Sequence, residues 1–212
     1  MTERISAKEK YERAIKALKE DNFEEGVFWM KQAARSWYKG RYGSARKWVK
    51  RYSDIEQTKT LAEGGNPQAM MKMSEYYFVH SPCLNSLRLA HEWNEKAAKE
   101  GYGPAMARQG VWLIFGWTYV GRNLKDAFYY LSRAEEQHVK DDYGYLGYLG
   151  CCYLFGWGTY KNEEKGIMYL KAGARAHTND WMCINVMNAI KSGKHHSLKS
   201  SRILKNIRRF YN

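Results

Sequence analysis

Proline is scarce in this sequence, at three residues in a chain of 212. An average chain of this length would contain about ten prolines. Because proline interrupts helices, its scarcity favours a protein built almost entirely of α-helices. Long apolar segments are missing as well. No run approaches the roughly 20 residues that are needed to cross a bilayer, so we expect no membrane span.

Cysteine is infrequent, and none of the four residues, Cys83, Cys151, Cys152 and Cys183, forms a Cys-x-x-Cys pair. The first ten residues contain no apolar segment of the kind found in secretory signals. We therefore expect a cytoplasmic location, in which the cysteines stay reduced as buried structural thiols. Their spacing with His177 fits no structural zinc pattern, so we predict no metal. Phosphate-binding and dinucleotide motifs are absent, so we also predict no cofactor.

Acidic residues are outnumbered, because 22 Asp and Glu stand against 35 Lys and Arg, for a net charge of +13. Such an excess attracts acidic proteins, nucleic acids or anionic membrane surfaces, and the total alone does not choose among them. Aromatic residues are abundant, at 15% of the chain, which excludes disorder as the dominant state.

A pattern of small and aromatic residues recurs along the chain. Its best copy is Ala-x-x-Trp-x-x-Lys-Ala-Ala-x-Glu-Gly at 90–101, with further copies at 26–34, 127–134 and 166–174. Residues three and four apart lie on the same face of a helix, so the pattern predicts one face of a recurring helix. We refer to this helix of each repeat as helix B.

A second pattern precedes the clearest copies of the first. It places the small residues Ser74, Gly110 and Gly150 at intervals of 36 and 40 residues, with aromatic or aliphatic residues three positions further on. Small residues at fixed places let two helices approach closely. Each repeat is therefore predicted to consist of helix A, a loop and helix B, stacked on the next repeat, because one repeat alone cannot bury its apolar face.

The last predicted helix has the pattern of a terminal cap. Ile203, Leu204, Ile207 and Phe210 fall on one face, and basic residues occupy the rest of its surface. An array of repeats needs such a helix to cover its final apolar face while presenting charge to water.

The repeated motifs resemble those of the Sel-one-like repeat family, a relative of the tetratricopeptide repeats. The resemblance is carried by Trp-x-x-Lys-Ala-Ala-x-Glu-Gly at 93–101 and Leu-Gly-x-x-Tyr-x-x-Gly-x-Gly at 149–158. It implies an all-α fold, a right-handed α/α solenoid of about five helix-turn-helix repeats with a C-terminal capping helix. We expect a single domain over 1–212, with the clearest repeats at 66–177, irregular repeats at 7–64 and the cap at 180–212.

Two near-identical aromatic loops, at 115–119 and 155–160, follow successive A helices. Stacked repeats would bring them side by side on one edge, and Trp and Tyr are frequent in binding hot spots. The aromatic side chains either form a binding edge or pack between helices. The predicted protein-binding residues are Trp112, Trp117, Tyr119, Trp157 and Tyr160.

Two segments are rich in basic residues and contain no acidic ones, 35–53 and 181–212. Basic residues interleaved with aromatic ones suit single-stranded nucleic acid, whose bases stack and whose phosphates attract cations. The other interpretation is a solvated basic face whose aromatic residues belong to the repeat core. The candidate basic patch comprises Arg41, Arg46, Lys47, Lys50, Arg51, Lys199, Arg202, Lys205 and Arg209.

Catalytic motifs are not convincing. Ser36-x-x-Lys39 matches a Ser-x-x-Lys nucleophile motif, but the accompanying elements of that enzyme class are absent. We therefore predict that the protein is not an enzyme. The resemblance implies a protein-interaction module, and the charge suggests an acidic protein partner. Such a module can be a bacterial immunity protein that neutralises an effector toxin, or a regulatory adaptor. The alternative is a helical-repeat protein that binds single-stranded RNA or DNA.

Overall fold

The computed structural model describes residues 5–20, 22–35, 55–79, 85–116, 119–140, 144–176 and 181–192, and these contain ten helices and no strand. The helices are α1 (Ala7–Lys19), α2 (Phe23–Ala34), α3 (55–63), α4 (Pro67–Val79), α5 (Ser86–Lys99), α6 (Gly103–Phe115), α7 (Leu124–Glu136), α8 (Tyr145–Phe155), α9 (Glu163–Ala176) and α10 (Trp181–Lys191). The predicted all-α class, built from helix-turn-helix repeats, is confirmed.

The chain divides into two compact units, residues 1–93 and 94–212, with the boundary inside α5. In the first unit α1 packs on α2, around a core of Ala14, Leu18, Met30 and Ala33. In the second unit α6 pairs with α7 and α8 pairs with α9, while α10 packs on α9 and α8. The single domain expected over 1–212 stays a prediction, and most of the expected cap, 193–212, lies outside the described residues.

The helices of each pair cross at small residues, as the repeat pattern predicts. A Cβ atom on Gly110 would lie 2.6 Å from Cγ of Leu131 in α7, and one on Gly150 would lie 2.8 Å from Cγ of Leu170 in α9. At the corresponding place in α4, the buried Ser74 hydroxyl donates a 2.5 Å hydrogen bond to the carbonyl of Ala90 in α5. The small side chains therefore set how closely helices A and B approach.

Three B helices end in the same way, with a left-handed residue one position past the cap. Gly65 (φ 92°), Gly101 (φ 79°) and His138 (φ 51°) occupy this place. The next amide donates to a carbonyl five residues earlier, from Tyr102 to Ala97 at 3.1 Å and from Val139 to Ala134 at 3.3 Å. These bonds satisfy carbonyls that the helix end leaves without intrahelical partners.

A polar side chain, that of Asn94, is buried between α5 and α6. The Asn94 side chain is fully buried and donates to Oε1 of Gln109 at 2.9 Å and to the carbonyl of Ala105 at 3.2 Å. Its Oδ1 accepts a 2.8 Å hydrogen bond from Nε of the buried Arg108, whose guanidinium lies 5.1 Å from the Trp112 ring. The amide of Asn94 is thus satisfied at both ends.

Candidate protein-binding surface

The loop between α6 and α7 is held at its base and exposed at its tip. Gly116 ends α6 in the left-handed conformation (φ 66°), and Nε of Arg122 donates to the carbonyl of Ile114 at 3.0 Å. Val120 is buried, whereas the Tyr119 side chain next to it is 52% exposed. The structure therefore presents Tyr119 from an anchored loop.

The loop between α8 and α9 repeats this arrangement more tightly. Gly156 again ends the helix in the left-handed conformation (φ 74°), and the amide of Trp157 donates to the carbonyl of Cys152 at 2.9 Å. Trp157 is only 2% exposed, with its ring 5.4 Å from that of Phe155. Tyr160, at the tip, is 94% exposed.

At Gly158 the backbone of the second loop packs directly against the first residues of α7. Its φ is +71°, and a Cβ atom at this position would collide with the carbonyl of Leu124 and lie 2.8 Å from Cα of Lys125. Only glycine meets both requirements without strain. Since Leu124 directly follows the first loop, this contact joins the two loop regions one repeat apart. We call the described residues of the two loops, 116, 119–123 and 156–162, the loop edge.

Both loops end on an asparagine that begins the following helix. Oδ1 of Asn123 accepts from the amide of Asp126 at 3.1 Å, and Oδ1 of Asn162 accepts from the amide of Lys165 at 2.9 Å. These side chains cap α7 and α9 by the usual N-terminal arrangement. The loop edge is therefore fixed by helix caps on one side and glycine turns on the other.

The predicted binding residues separate into two groups. Trp112 and Trp157 are buried, so their rings pack inside the repeat and hold the loops rather than offering a surface. Tyr119 and Tyr160 are exposed. Several candidates lie outside the described residues: Trp117, Arg41, Arg46, Lys47, Lys50, Arg51, Lys199, Arg202, Lys205 and Arg209. The same holds for Ser36, Lys39, Cys83 and His177, and for the side chain of Cys183.

Sequence reasoning missed two exposed apolar residues on the B helices. Tyr129 on α7 is 56% exposed and Met168 on α9 is 52% exposed. Each directly precedes the aromatic residue of the helix B pattern, Tyr130 and Tyr169, and Phe28 has the same place in α2 and is also exposed. The sequence pattern could have revealed them, because each is a large apolar residue at a helix position that faces outward and would ordinarily be polar.

A chain of aromatic rings lies between α7 and α9. The ring of Phe128 meets that of Tyr153 edge-on at 5.4 Å, and Tyr153 stacks on Tyr169 at 5.8 Å with an angle of 10° between planes. Partial burial raises the pKa of both tyrosines, and the negative charge of Glu135 raises it further.

Burial makes the thiols in α8 unreactive. Cys151 and Cys152 are buried thiols that are not joined in a disulfide, and burial raises the pKa of Cys152 to about 12. A thiol with such a pKa holds almost no thiolate at neutral pH, so it is a poor nucleophile. In the described part of the chain, no three His, Cys, Asp or Glu side chains are grouped closely enough to hold a metal ion. No helix within these ranges is both long enough and apolar enough to cross a membrane.

Comparison with known proteins supports the family resemblance. The sequence profile of the Sel1 repeat matches residues 11–36, 67–102, 103–139 and 146–177, which is more than half of the chain. The structure is similar to that of a Sel1 repeat protein from Oxalobacter formigenes, with 20% identity and a TM-score of 0.50, over 64% of this chain and 97% of that one.

A second solved structure is a protective antigen present in uropathogenic Escherichia coli strains, which displays an SLR fold. It is 17% identical, with a TM-score of 0.49, over 98% of this chain and 45% of that one. No curated protein matches the sequence. Repeats of the matching family mediate protein–protein interactions. Since the repeat profile covers most of the helices described above, the chain belongs to the Sel1 repeat family.

Proposed function

We propose that this protein is a non-catalytic interaction module that binds one acidic protein partner through the loop edge. The observation that carries the proposal is the exposure of Tyr119 and Tyr160 in loops that contain a buried residue each, Val120 and Trp157. A loop whose backbone is anchored in this way loses little conformational freedom on binding. Tyrosine also offers an apolar ring and a hydroxyl to a partner, as binding hot spots often do.

The charge around the loop edge supports an acidic partner. Residues 116–123 and 156–162 include Arg122 and Lys161 and no acidic residue, and the first turns of α7 and α9 that follow carry Lys125 and Lys165 beside Asp126, Glu163 and Glu164. Complementary charge mainly accelerates association and excludes wrong partners. The net charge of +13 acts in the same direction over a longer range.

Two cellular roles follow from a module that binds without chemistry. As an immunity protein, the chain would cover the surface of a cognate effector toxin and block it. As a regulatory adaptor, it would bring an acidic partner to another protein. Both roles are compatible with the predicted cytoplasmic location, and both require only a stable complex, which a repeat fold supplies through surface residues.

The test combines affinity capture with variants of the loop edge. The full chain captures partners from native lysate with and without nuclease, and bound proteins are identified by mass spectrometry. We expect one dominant acidic protein that survives nuclease and is lost with Tyr119→Ala/Tyr160→Ala. The control is Phe28→Ala, which removes an exposed aromatic side chain from the other unit. Circular dichroism checks that each variant stays helical.

Other outcomes would change the assignment. Equal capture by the tyrosine variant and the wild type would remove the loop edge from the proposal. Material that disappears on nuclease treatment, with binding that falls steeply as salt rises, would favour the nucleic-acid interpretation. The tyrosine pair is a better probe than Trp157, because replacing a buried tryptophan also damages the packing of the loop.

A further inference from the structure

The outward faces of α7 and α9 carry a second group of exposed apolar side chains. In the described part of residues 94–212, the exposed large apolar residues are Tyr119, Tyr129, Tyr160 and Met168. The first and third belong to the loop edge. Tyr129 and Met168 lie on B helices at corresponding places of successive repeats. Helices α6 and α8 contribute none, so the large exposed apolar side chains that the structure describes in this unit lie in the loops and on the B helices.

Three partly exposed aromatic rings lie on the same two helices as these residues or on the helix that connects them. The contacting rings of Phe128, Tyr153 and Tyr169 connect α7 to α9 through α8, and all three side chains are partly exposed. We call the surface formed by these rings with Tyr129 and Met168 the outer face. Phe128 and Tyr169 are the chain neighbours of Tyr129 and Met168, and several exposed apolar side chains on packed helices mark an interaction site more often than isolated apolar residues do.

Cations border the outer face without carboxylate partners. Among the described residues, Lys125, Lys171 and Arg175 make no ion pair, and Nζ of Lys165 lies 5.5 Å from the Tyr153 ring. Elsewhere several cations pair within their helix, as Arg13 with Glu9, Lys8 with Glu12, Arg88 with Glu92 and Lys99 with Glu95, whereas Lys16 and Lys19 of α1 make no ion pair among the described residues and can serve as a control. The unpaired cations of α7 and α9 are thus available to a partner.

Most acidic residues near the outer face already have a partner, either a hydrogen-bond donor, a cation or the positive end of a helix. Asp126 accepts a 2.6 Å hydrogen bond from the capping side chain of Asn123, and Glu136 pairs with Arg133 at 2.6 Å. Glu135 lies 3.2 Å from the hydroxyl of Tyr145. Glu163 and Glu164 lie in the first turn of α9, where they complement the positive end of the helix dipole.

We infer that the outer face is a second contact surface for the same partner and takes an acidic segment with apolar anchor residues. The anchors would cover Tyr129, Met168 and the rings between them, while carboxylates meet Lys125, Lys165, Lys171 and Arg175. The inference rests on the proposed function, because both require an acidic partner. It extends the interaction from the loop tips along two B helices, α7 and α9.

The experiment selects ligands directly from a displayed library of random peptides of about 15 residues, enough for four helical turns. The full chain is the target, and selected peptides are then measured against Tyr129→Ser/Met168→Ser and against Lys171→Glu/Arg175→Glu. Matched controls in the other unit are Phe28→Ser and Lys16→Glu/Lys19→Glu. Circular dichroism and thermal melts establish that each variant is folded.

We expect selected peptides with an excess of Asp and Glu and with apolar residues three or four positions apart. Their affinity should fall about tenfold or more for each outer-face variant and stay unchanged for the controls. Selection of no peptides, of peptides without acidic excess, or of peptides that the outer-face variants still bind would overturn the inference. Loss of lysate capture with Tyr119→Ala/Tyr160→Ala alone would leave the proposed function standing, so the two failures are distinguishable.

Discussion

His138 adopts the left-handed backbone conformation that Gly101 adopts one repeat earlier in the chain. Both residues close a B helix, and the amide that follows each of them donates to a carbonyl five residues back. A side chain with a Cβ atom pays about 1 kcal/mol or more for this conformation, whereas glycine does not. The turn at His138 therefore has the same geometry as the turn at Gly101, but it contains a residue whose side chain strains the backbone.

Replacing that residue should stabilise the protein. His138→Gly is expected to raise the free energy of unfolding by about 0.5–1 kcal/mol, because removed strain outweighs the added freedom of the unfolded chain. Gly101→Ala should lower it by about 1 kcal/mol, and for conformational reasons alone, since a Cβ there would contact nothing within 4 Å. Urea unfolding monitored by circular dichroism measures both. A destabilised His138→Gly would show that the imidazole contributes more than the turn costs.

The buried hydrogen bond between Asn94 and Gln109 should show strong energetic coupling. Asn94→Leu removes three hydrogen bonds from the core and should cost about 2–3 kcal/mol. Gln109→Leu alone should also destabilise. The double variant should cost clearly less than the two single changes together, since leucine stands at the corresponding places of later repeats, Leu131 and Leu149. Additive effects in the double-mutant cycle would contradict a shared polar contact.

The packing of the second loop against α7 can be tested by substituting Gly158. Gly158→Ala adds a Cβ atom against the backbone of α7 in a left-handed conformation, so it should cost about 2 kcal/mol or more. Gly121→Ala is the matched control, because a Cβ atom there meets nothing within 4 Å and the backbone is not left-handed, and its effect should stay within about 0.5 kcal/mol. Thermal unfolding compares the two. Equal melting temperatures would mean that the loop is not seated on α7.

The raised pKa of Cys152 predicts a dependence on alkaline pH. The unfolded thiol has the ordinary cysteine pKa of 9.0, whereas burial raises the pKa of the folded thiol to about 12. Between these values only the unfolded state loses its proton, so the contribution of this thiol is complete below pH 9 and declines as the pH rises towards 12. Cys152→Ala should flatten the fall of unfolding free energy across this window, relative to the wild type.

Labelling gives an independent check of the same burial. In a Cys83→Ser/Cys183→Ser background, only the buried pair Cys151 and Cys152 remains. Iodoacetamide at pH 8 should leave both unmodified in the folded protein and alkylate both in denaturant. Rapid alkylation of the folded protein would contradict the burial of the pair.

The repeat pattern predicted the helix pairs well, because small residues such as Gly110 and Gly150 have one clear physical duty at a helix crossing. Whether each aromatic side chain in the two loops is buried or exposed was harder to predict. Trp157 and Tyr160 are three residues apart in one loop, yet one is buried and the other exposed, because the start of α7 in the preceding repeat supports the loop at Gly158. That contact is between distant parts of the chain, so local sequence does not reveal it.

The buried Asn94 was missed for a related reason. Its place in the helix B pattern is apolar in later repeats, and its polar partners, Arg108 and Gln109, belong to the next helix. A single polar residue in an apolar pattern is ordinarily a sign of exposure. Only the pairing of α5 with α6 reveals that the three polar side chains satisfy one another.

On the proposed binding surface, each of the two repeats contributes one exposed aromatic tip, Tyr119 or Tyr160. The contact between Gly158 and Leu124 holds the second of these loops against the preceding repeat. Inserting or deleting a complete repeat would lengthen or shorten the surface by one tip and leave the others in register. A partner could therefore be matched by counting repeats, with no redesign of the loops themselves.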